Sequence, residues 1–197
     1  MPKNFKDDIE LFFQYDISLD SKTLYMGSKS HDDSSEESGT DYAMASNIIK
    51  GLRVLDSLQN EKPITIIMNN PGGDVYHGFA IYDAIRACRN VVKIEVFGQA
   101  MSMGSIILQA ADERLMSKNS RLMIHQGTTS HSNHPKIVAS ELEDIKKMDA
   151  MIIDLFHNKI KEKKPRFKRS QVERFLDFDT YMTAQKALEH GLIDKVI

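Results

Sequence analysis

Residues 91–111, VVKIEVFGQAMSMGSIILQAA, join an apolar, β-branched run to a second apolar run through a turn that contains glycine. The run VVKIEVF (91–97) predicts a buried strand, and SMGSIILQAA (102–111) predicts an apolar helix directly after it. Ser102 stands at the junction, between Gly98 and Gly104. A strand–turn–helix unit of this kind is typical of α/β folds, and packing alone gives no reason for a serine at its centre.

Composition limits the classes of protein to consider. The 197 residues are 41% apolar and 27% charged with a formal net charge of −2, which predicts one globular domain over 1–197 without a basic field for nucleic acid or anionic lipid. Cys88 is the one cysteine, so no internal disulfide is predicted. The N-terminal segment is acidic where a signal peptide is apolar, and no apolar run approaches the ~20 residues of a membrane span. We expect a cytoplasmic protein that binds neither nucleic acid nor membrane.

Along the rest of the chain, predicted strands alternate with predicted helices. The strand candidates are TLYMG (23–27), ITIIMN (64–69), RLMIH (121–125) and GLIDKVI (191–197), with an extended piece at 177–183. The helix candidates are a segment capped by Thr40 or Asp41 and the segments 75–88, 136–163, 170–176 and 184–190. The polar, acidic stretch 28–41 is predicted to be a surface insertion. This alternation predicts an α/β domain with a largely parallel sheet.

Polar residues follow three of the predicted strands. They are the loop Asn70-Pro71-Gly72-Gly73, Ser102 and His125. Sites in open α/β sheets gather beyond the carboxyl ends of strands, where glycines let the backbone approach a ligand and a helix start offers free amides. Each feature also has an ordinary structural interpretation, namely a turn, a helix cap and a structural histidine. The loop lacks the GKS or GKT ending of a phosphate-binding loop.

A serine nucleophile needs a base within hydrogen-bond reach and a carboxylate that orients the base. The downstream carboxylates fall into two groups, and periodicity leaves both open: Glu141, Glu143 and Asp144 on the long helix, and Asp177 and Asp179 near the end of the chain. The histidines 125, 131 and 134 have the spacing H-x5-H-x2-H, which is not a familiar zinc pattern, so no metal site is predicted.

Four motifs in this order resemble the family of Clp protease proteolytic subunits (ClpP) from about Ile64 to the end of the chain. They are NNPGGDVYHGFAIYDAI (69–85), GQAMSMGSIIL (98–108), NSRLMIHQG (119–127) and ALEHGLID (187–194). The resemblance implies a Ser-His-Asp triad with Ser102 as nucleophile, His125 as base and Asp179 as acid. It also implies an oxyanion hole made by the backbone amides of Gly73 and Met103.

The resemblance further implies the fold and the partners. The expected fold is the ClpP/crotonase-like spiral of ββα units, with helix 136–163 protruding as a handle. Members form heptameric rings, often stacked in pairs around a chamber, and receive unfolded proteins or peptides from an AAA+ Clp unfoldase. Only that partner uses ATP, so no cofactor is expected for this chain.

This sequence departs from the family pattern at Phe178, where an arginine commonly precedes the triad aspartate, and in the acidic insertion 28–41. Three alternatives remain at this stage. One is a phage-type capsid maturation protease of the same fold. Another is a crotonase-type acyl-CoA enzyme, which shares the two-amide hole but needs no serine nucleophile. The third is a non-catalytic ring subunit.

Overall fold

The computed structural model describes residues 5–27, 39–58, 60–127 and 134–197. Most of the predicted acidic insertion, and His131, therefore lie outside the described residues. The helices are α1 (Phe5–Tyr15), α2 (Tyr42–Ser57), α3 (Val75–Arg86), α4 (Met103–Leu108), α5 (Pro135–Lys163), α6 (Arg169–Leu176) and α7 (Ala184–His190). The strands are β1 (Ile17–Ser18), β2 (Thr23–Gly27), β3 (Ile64–Asn70), β4 (Val92–Met101), β5 (Glu113–Met116), β6 (Arg121–Ile124), β7 (Thr180–Thr183) and β8 (Lys195–Val196).

The strands form a mixed sheet whose centre is parallel. Its main path runs β1-β2-β3-β4-β5-β8, and β6 pairs with the far end of β4 and with β7. The pairs β2–β3, β3–β4, β4–β5, β4–β6 and β5–β8 are parallel, whereas β1–β2 and β6–β7 are antiparallel. The α/β class with a largely parallel sheet, predicted from the alternation of elements, is confirmed.

The core lies against the two central strands. Alternate residues of β3 and the first part of β4 are fully buried, among them Ile66, Met68, Ile94 and Val96. Helices α2 and α3 pack against each other, and α4 packs against α3 and β4. Every residue of α4 is buried. Burial of apolar side chains is worth roughly 1.5–3 kcal/mol each, so this packing holds the carboxyl ends of β3 and β4 in fixed positions.

The structure departs from the predicted elements at both ends of the chain and at β5. Helix α1 was not predicted, and neither was the four-residue strand β5. The predicted strand 191–197 is confined to Lys195–Val196. Gly191 ends α7 in a left-handed conformation, with φ 77°, and Asp194 is held by two side-chain hydrogen bonds from Arg114. The chain between these points turns into the core instead of extending.

Candidate active site

Three adjacent strand ends bring Ser102, His125 and Asp179 together. In the parallel pair β4–β6, Met101 lies beside Met123, and in the antiparallel pair β6–β7, Ile124 lies beside Thr180. Ser102 follows β4, His125 follows β6 and Asp179 precedes β7. The three side chains therefore belong to one edge of the sheet, as sites in parallel sheets usually do.

A continuous chain of hydrogen bonds joins the three side chains. His125 Nε2 lies 2.8 Å from Ser102 Oγ, and His125 Nδ1 lies 2.9 Å from Asp179 Oδ1. An ionised carboxylate can only accept, so Nδ1–H donates to Asp179 and Nε2 is left as the acceptor for the Ser102 hydroxyl. The side chain of His125 is 21% exposed and that of Asp179 is 57% exposed, so the pair is open to a ligand from solvent. This arrangement fits a base that takes a proton from the serine.

The backbone at Ser102 makes a sharp turn between β4 and α4. Ser102 has φ 50° and ψ −120°, a conformation that L-residues rarely adopt. Its N–H donates to Met123 O at 2.9 Å, which fixes the turn to β6. Ser102 occupies the N-cap position of α4, but its side chain makes no capping hydrogen bond. The helix-cap interpretation of this serine is therefore wrong, because the hydroxyl is directed to His125 instead.

The loop Gly72-Gly73 lies directly against the serine turn. Both glycines have positive φ, 107° and 142°. A Cβ on Gly72 would lie 2.6 Å from Ser102 Cβ and 3.2 Å from Met103 N, so only glycine allows this approach. Within the described part of the chain, the Gly72 amide donates to Asn70 Oδ1, but neither the Gly73 amide nor the Met103 amide donates to any group. Two backbone donors next to Ser102 are thus available to an external oxygen.

Helix α5 forms a wall of the site on the His125 side. Gln126 Nε2 donates to Asp149 Oδ2 at 2.6 Å and ties the end of β6 to α5. A cavity of about 230 Å³ lies between His125 and the helices α5 and α6, with Ile152 and Leu176 among its apolar lining. The cavity has room for an apolar group of a bound ligand.

The geometry distinguishes the candidate carboxylates. Asp177 is the C-cap residue of α6, and its side chain makes no hydrogen bond with His125. On α5, Glu143 pairs with Lys147, and Asp144 accepts a hydrogen bond from the hydroxyl of Tyr76 at 3.4 Å. Asp179 is the carboxylate that contacts the histidine.

Metal-binding residues do not cluster in the described ranges, where no group of three or more His, Cys, Asp or Glu side chains is arranged to hold an ion. His134 caps α5, since its side chain accepts from Lys136 N, and His131 cannot be compared because it is not among the described residues. Of the helices described, none is long and apolar enough to cross a membrane.

The sequence placed Asn70 at the start of the polar loop after an apolar strand but indicated no role for its side chain, and it indicated Thr40 only as a possible helix cap. Asp41 is the residue that caps α2, by accepting from Met44 N at 2.8 Å. Thr40 and Asn70 are both buried, and they bond to each other beneath the Gly72-Gly73 loop. The one sequence signal was an asparagine at the end of an apolar strand immediately before Pro71-Gly72-Gly73.

Comparisons with known proteins show which family the chain resembles. A family model described as Clp protease matches residues 35–197, so the match begins upstream of Ile64, where the resemblance read from the motifs starts. The ATP-dependent Clp protease proteolytic subunit of Deinococcus radiodurans is 36% identical over 156 residues, which cover 78% of this chain and 74% of that protein.

Proposed function

Because the chain belongs to the Clp protease family, we propose that Ser102, His125 and Asp179 are the catalytic triad through which it hydrolyses peptide bonds. Family membership confirms the protease predicted from the sequence. The observation that supports these three roles is the hydrogen-bond chain from Asp179 through His125 to Ser102, with heavy-atom distances of 2.9 and 2.8 Å.

In the first half of the reaction, Ser102 Oγ attacks the carbonyl carbon of the scissile bond while its proton passes to His125 Nε2. The Asp179 carboxylate stabilises the imidazolium and holds the ring in orientation. The carbonyl oxygen becomes an oxyanion and accepts hydrogen bonds from the amides of Gly73 and Met103. One preorganised donor of this kind is worth roughly 10²–10³ in rate.

His125 then gives its proton to the leaving amine, and an acyl-enzyme on Ser102 remains. A water molecule repeats the sequence: His125 takes its proton, the oxygen attacks the acyl carbon, and the proton returns to Ser102 Oγ as the ester bond breaks. The charge that develops in each step is met by groups of this chain, so the proposal includes no cofactor.

The proposal extends to substrate and assembly. We assign peptides and unfolded proteins as substrates, a ring of copies of this chain as the assembly, and a Clp unfoldase as the partner that uses ATP, in the cytoplasm. The name of the Deinococcus radiodurans relative supports an ATP-dependent partnership. Exposed apolar residues on α5, namely Ile137, Leu142 and Met151, support a handle that packs against other copies.

Acyl-CoA chemistry of the crotonase type is the less supported alternative. Such an enzyme uses a two-amide hole but has no need of a serine activated by a histidine, and here the Ser102 hydroxyl is bonded to His125 at 2.8 Å. A capsid maturation protease would retain the same triad and would differ only in its substrate.

An active-site-directed fluorophosphonate tests the proposal. We expect it to label the wild-type chain at Ser102 and to leave Ser102→Ala unlabelled. Ser57→Ala, at the carboxyl end of α2, is the matched control and should label like the wild type. A folded wild-type chain that hydrolyses no peptide and takes no label would overturn the assignment.

A further inference from the structure

We propose that Thr40 and Asn70 are positioning residues that fix the distance between the two amides of the oxyanion hole. The inference rests on the proposed function, since it concerns the donors at Gly73 and Met103. It assigns a role in catalysis to two buried side chains that do not touch the substrate. The argument begins with the contacts of Asn70 and continues with those of Thr40.

Asn70 uses its whole side-chain amide beneath the loop. Its Oδ1 accepts from the Gly72 amide at 2.7 Å, and its Nδ2 donates to Thr40 Oγ1 at 3.0 Å and to Met44 Sδ at 3.2 Å. The residue is fully buried at the end of β3. Because the Gly72 amide already donates to Asn70, the next amide along the chain, that of Gly73, is the one left for the substrate.

Asn70 also contacts the other half of the hole. A Cβ on Gly104 would lie 2.9 Å from both the backbone oxygen and the Oδ1 of Asn70. Gly104 is the second residue of α4 and follows Met103 directly. One side chain thus touches the loop that carries the Gly73 donor and the helix start that carries the Met103 donor. The separation of the two donors depends on this shared contact.

Thr40 holds the loop through its own backbone. Its N–H donates to Gly72 O at 2.5 Å, and its own carbonyl accepts from Asp74 N at 2.7 Å, so the two bonds flank Gly73. Thr40 and Gly73 form an isolated parallel bridge, and a Cβ on Gly73 would lie 2.5 Å from Thr40 N. Thr40 is 2% exposed, and its hydroxyl connects this bridge to Asn70.

The Gly72-Gly73 loop needs contacts with other residues to hold its conformation, because glycines lose the most conformational freedom when they are fixed. Gly72 and Gly73 are adjacent and both have positive φ, so the loop has little stiffness of its own. A buried and fully bonded polar pair supplies that stiffness. An error of about 1 Å in the placement of a catalytic group can cost about 10²-fold in rate. The loss falls on kcat, because the donors act on the oxyanion that forms during reaction.

The experiment compares Thr40→Val, Thr40→Ser and Asn70→Ala with the wild type, using a fluorogenic peptide and a peptide boronate. Valine keeps the shape of threonine and replaces the hydroxyl with a methyl group, whereas serine keeps the hydroxyl and lacks the methyl group. The boronate adds to Ser102 Oγ and places a tetrahedral, negatively charged group in the hole. Thr65→Val, a partly exposed threonine in β3, is the matched control. Melting temperature and native mass are recorded for each variant.

We expect kcat to fall about 10-fold in Thr40→Val and about 10²-fold in Asn70→Ala, with KM changed less than about 2-fold. Affinity for the boronate should fall by the same factors, and the dependence of kcat on pH should keep its shape. Thr40→Ser should retain most of the kcat and boronate affinity that Thr40→Val loses. A Thr40→Val enzyme with wild-type kcat and boronate affinity overturns the inference, even if Asn70→Ala fails to fold. A wild-type chain that hydrolyses no peptide overturns the proposed function itself, which is a different result.

Discussion

Asp179 lies 2.9 Å from His125 although the two residues are 54 positions apart in the chain. The antiparallel pairing of β7 with β6 produces this contact, because Thr180 lies beside Ile124. His125, which follows β6, and Asp179, which precedes β7, therefore come to the same edge. A slip of one residue in that register would direct Asp179 to the other face of the sheet. The proposed triad therefore depends on strand pairing as much as on the identity of its residues.

The nucleophile is tested by Ser102→Ala. We expect kcat to fall by about 10⁴-fold or more, because triad members act as a unit. The melting temperature should change little, since the serine hydroxyl makes no capping hydrogen bond to α4. Peptide hydrolysis and thermal unfolding measure the two effects. Residual turnover within tenfold of the wild type would contradict the assignment.

The base and the acid are tested by His125→Ala and Asp179→Asn. Each should remove most of the activity, and either change combined with Ser102→Ala should add little. Asp177→Asn is the matched control, because that aspartate ends α6 and makes no hydrogen bond with His125. If Asp177→Asn inactivated the enzyme while Asp179→Asn were mild, the acid would be Asp177.

Metal independence is tested with chelators. We expect peptide hydrolysis to continue unchanged in EDTA, because the proposed mechanism routes every proton through His125 and stabilises the oxyanion with backbone amides. Activity is measured before and after dialysis against the chelator. Loss of turnover that added zinc restores would show that a metal takes part.

Ring association is tested through Phe178, whose side chain projects into solvent with 79% of the residue exposed. A phenylalanine cannot donate the charge-assisted hydrogen bonds of an arginine. It can bury apolar area worth up to ~1.5–3 kcal/mol. We therefore expect any double ring to persist or strengthen as the salt concentration rises, and Phe178→Ala to weaken it. Sedimentation velocity across a salt series measures the association of the rings. Dissociation with added salt, and no effect of Phe178→Ala, would show that charge pairs elsewhere hold the rings.

Acid stability is tested at Asp56, which is 9% exposed. Burial raises the pKa of Asp56, but hydrogen bonds from Asn90 and Arg89 outweigh it and lower the pKa from 3.8 to about 2. The folded state therefore favours the charged form, so the stabilisation is present above about pH 4 and is lost as pH falls towards 2.

Asp56→Asn should reduce the free energy of unfolding by about 1–3 kcal/mol at pH 7, and the difference should shrink below pH 4. Denaturant unfolding at several pH values measures this. Asp83→Asn, at an exposed position on α3, is the matched control. A deficit of Asp56→Asn that grew on acidification would contradict the sign of the effect.

The sequence predicted the elements that have long or strongly apolar patterns. The strand at 64–69 appears as Ile64–Asn70, and the helix at 136–163 appears as Pro135–Lys163. The strand at Glu113–Met116 was missed because four residues with two charges give no readable alternation. Helix α1 was missed although Asp7 and Asp8 lie in its first turn, a pattern that is typical of a helix start.

For the site, the sequence by itself determined the chemistry available: a serine among glycines, a histidine after an apolar strand and a loop of two glycines. Local patterns carry such information because strand ends, helix starts and positive φ have residue preferences. From periodicity alone, the choice between Asp177 and Asp179 remained open. Only the tertiary structure placed Asp179 against His125, and only it revealed Thr40 and Asn70 beneath the glycine loop. These contacts join residues far apart in the chain, and their geometry comes from strand register and packing, which no local pattern encodes.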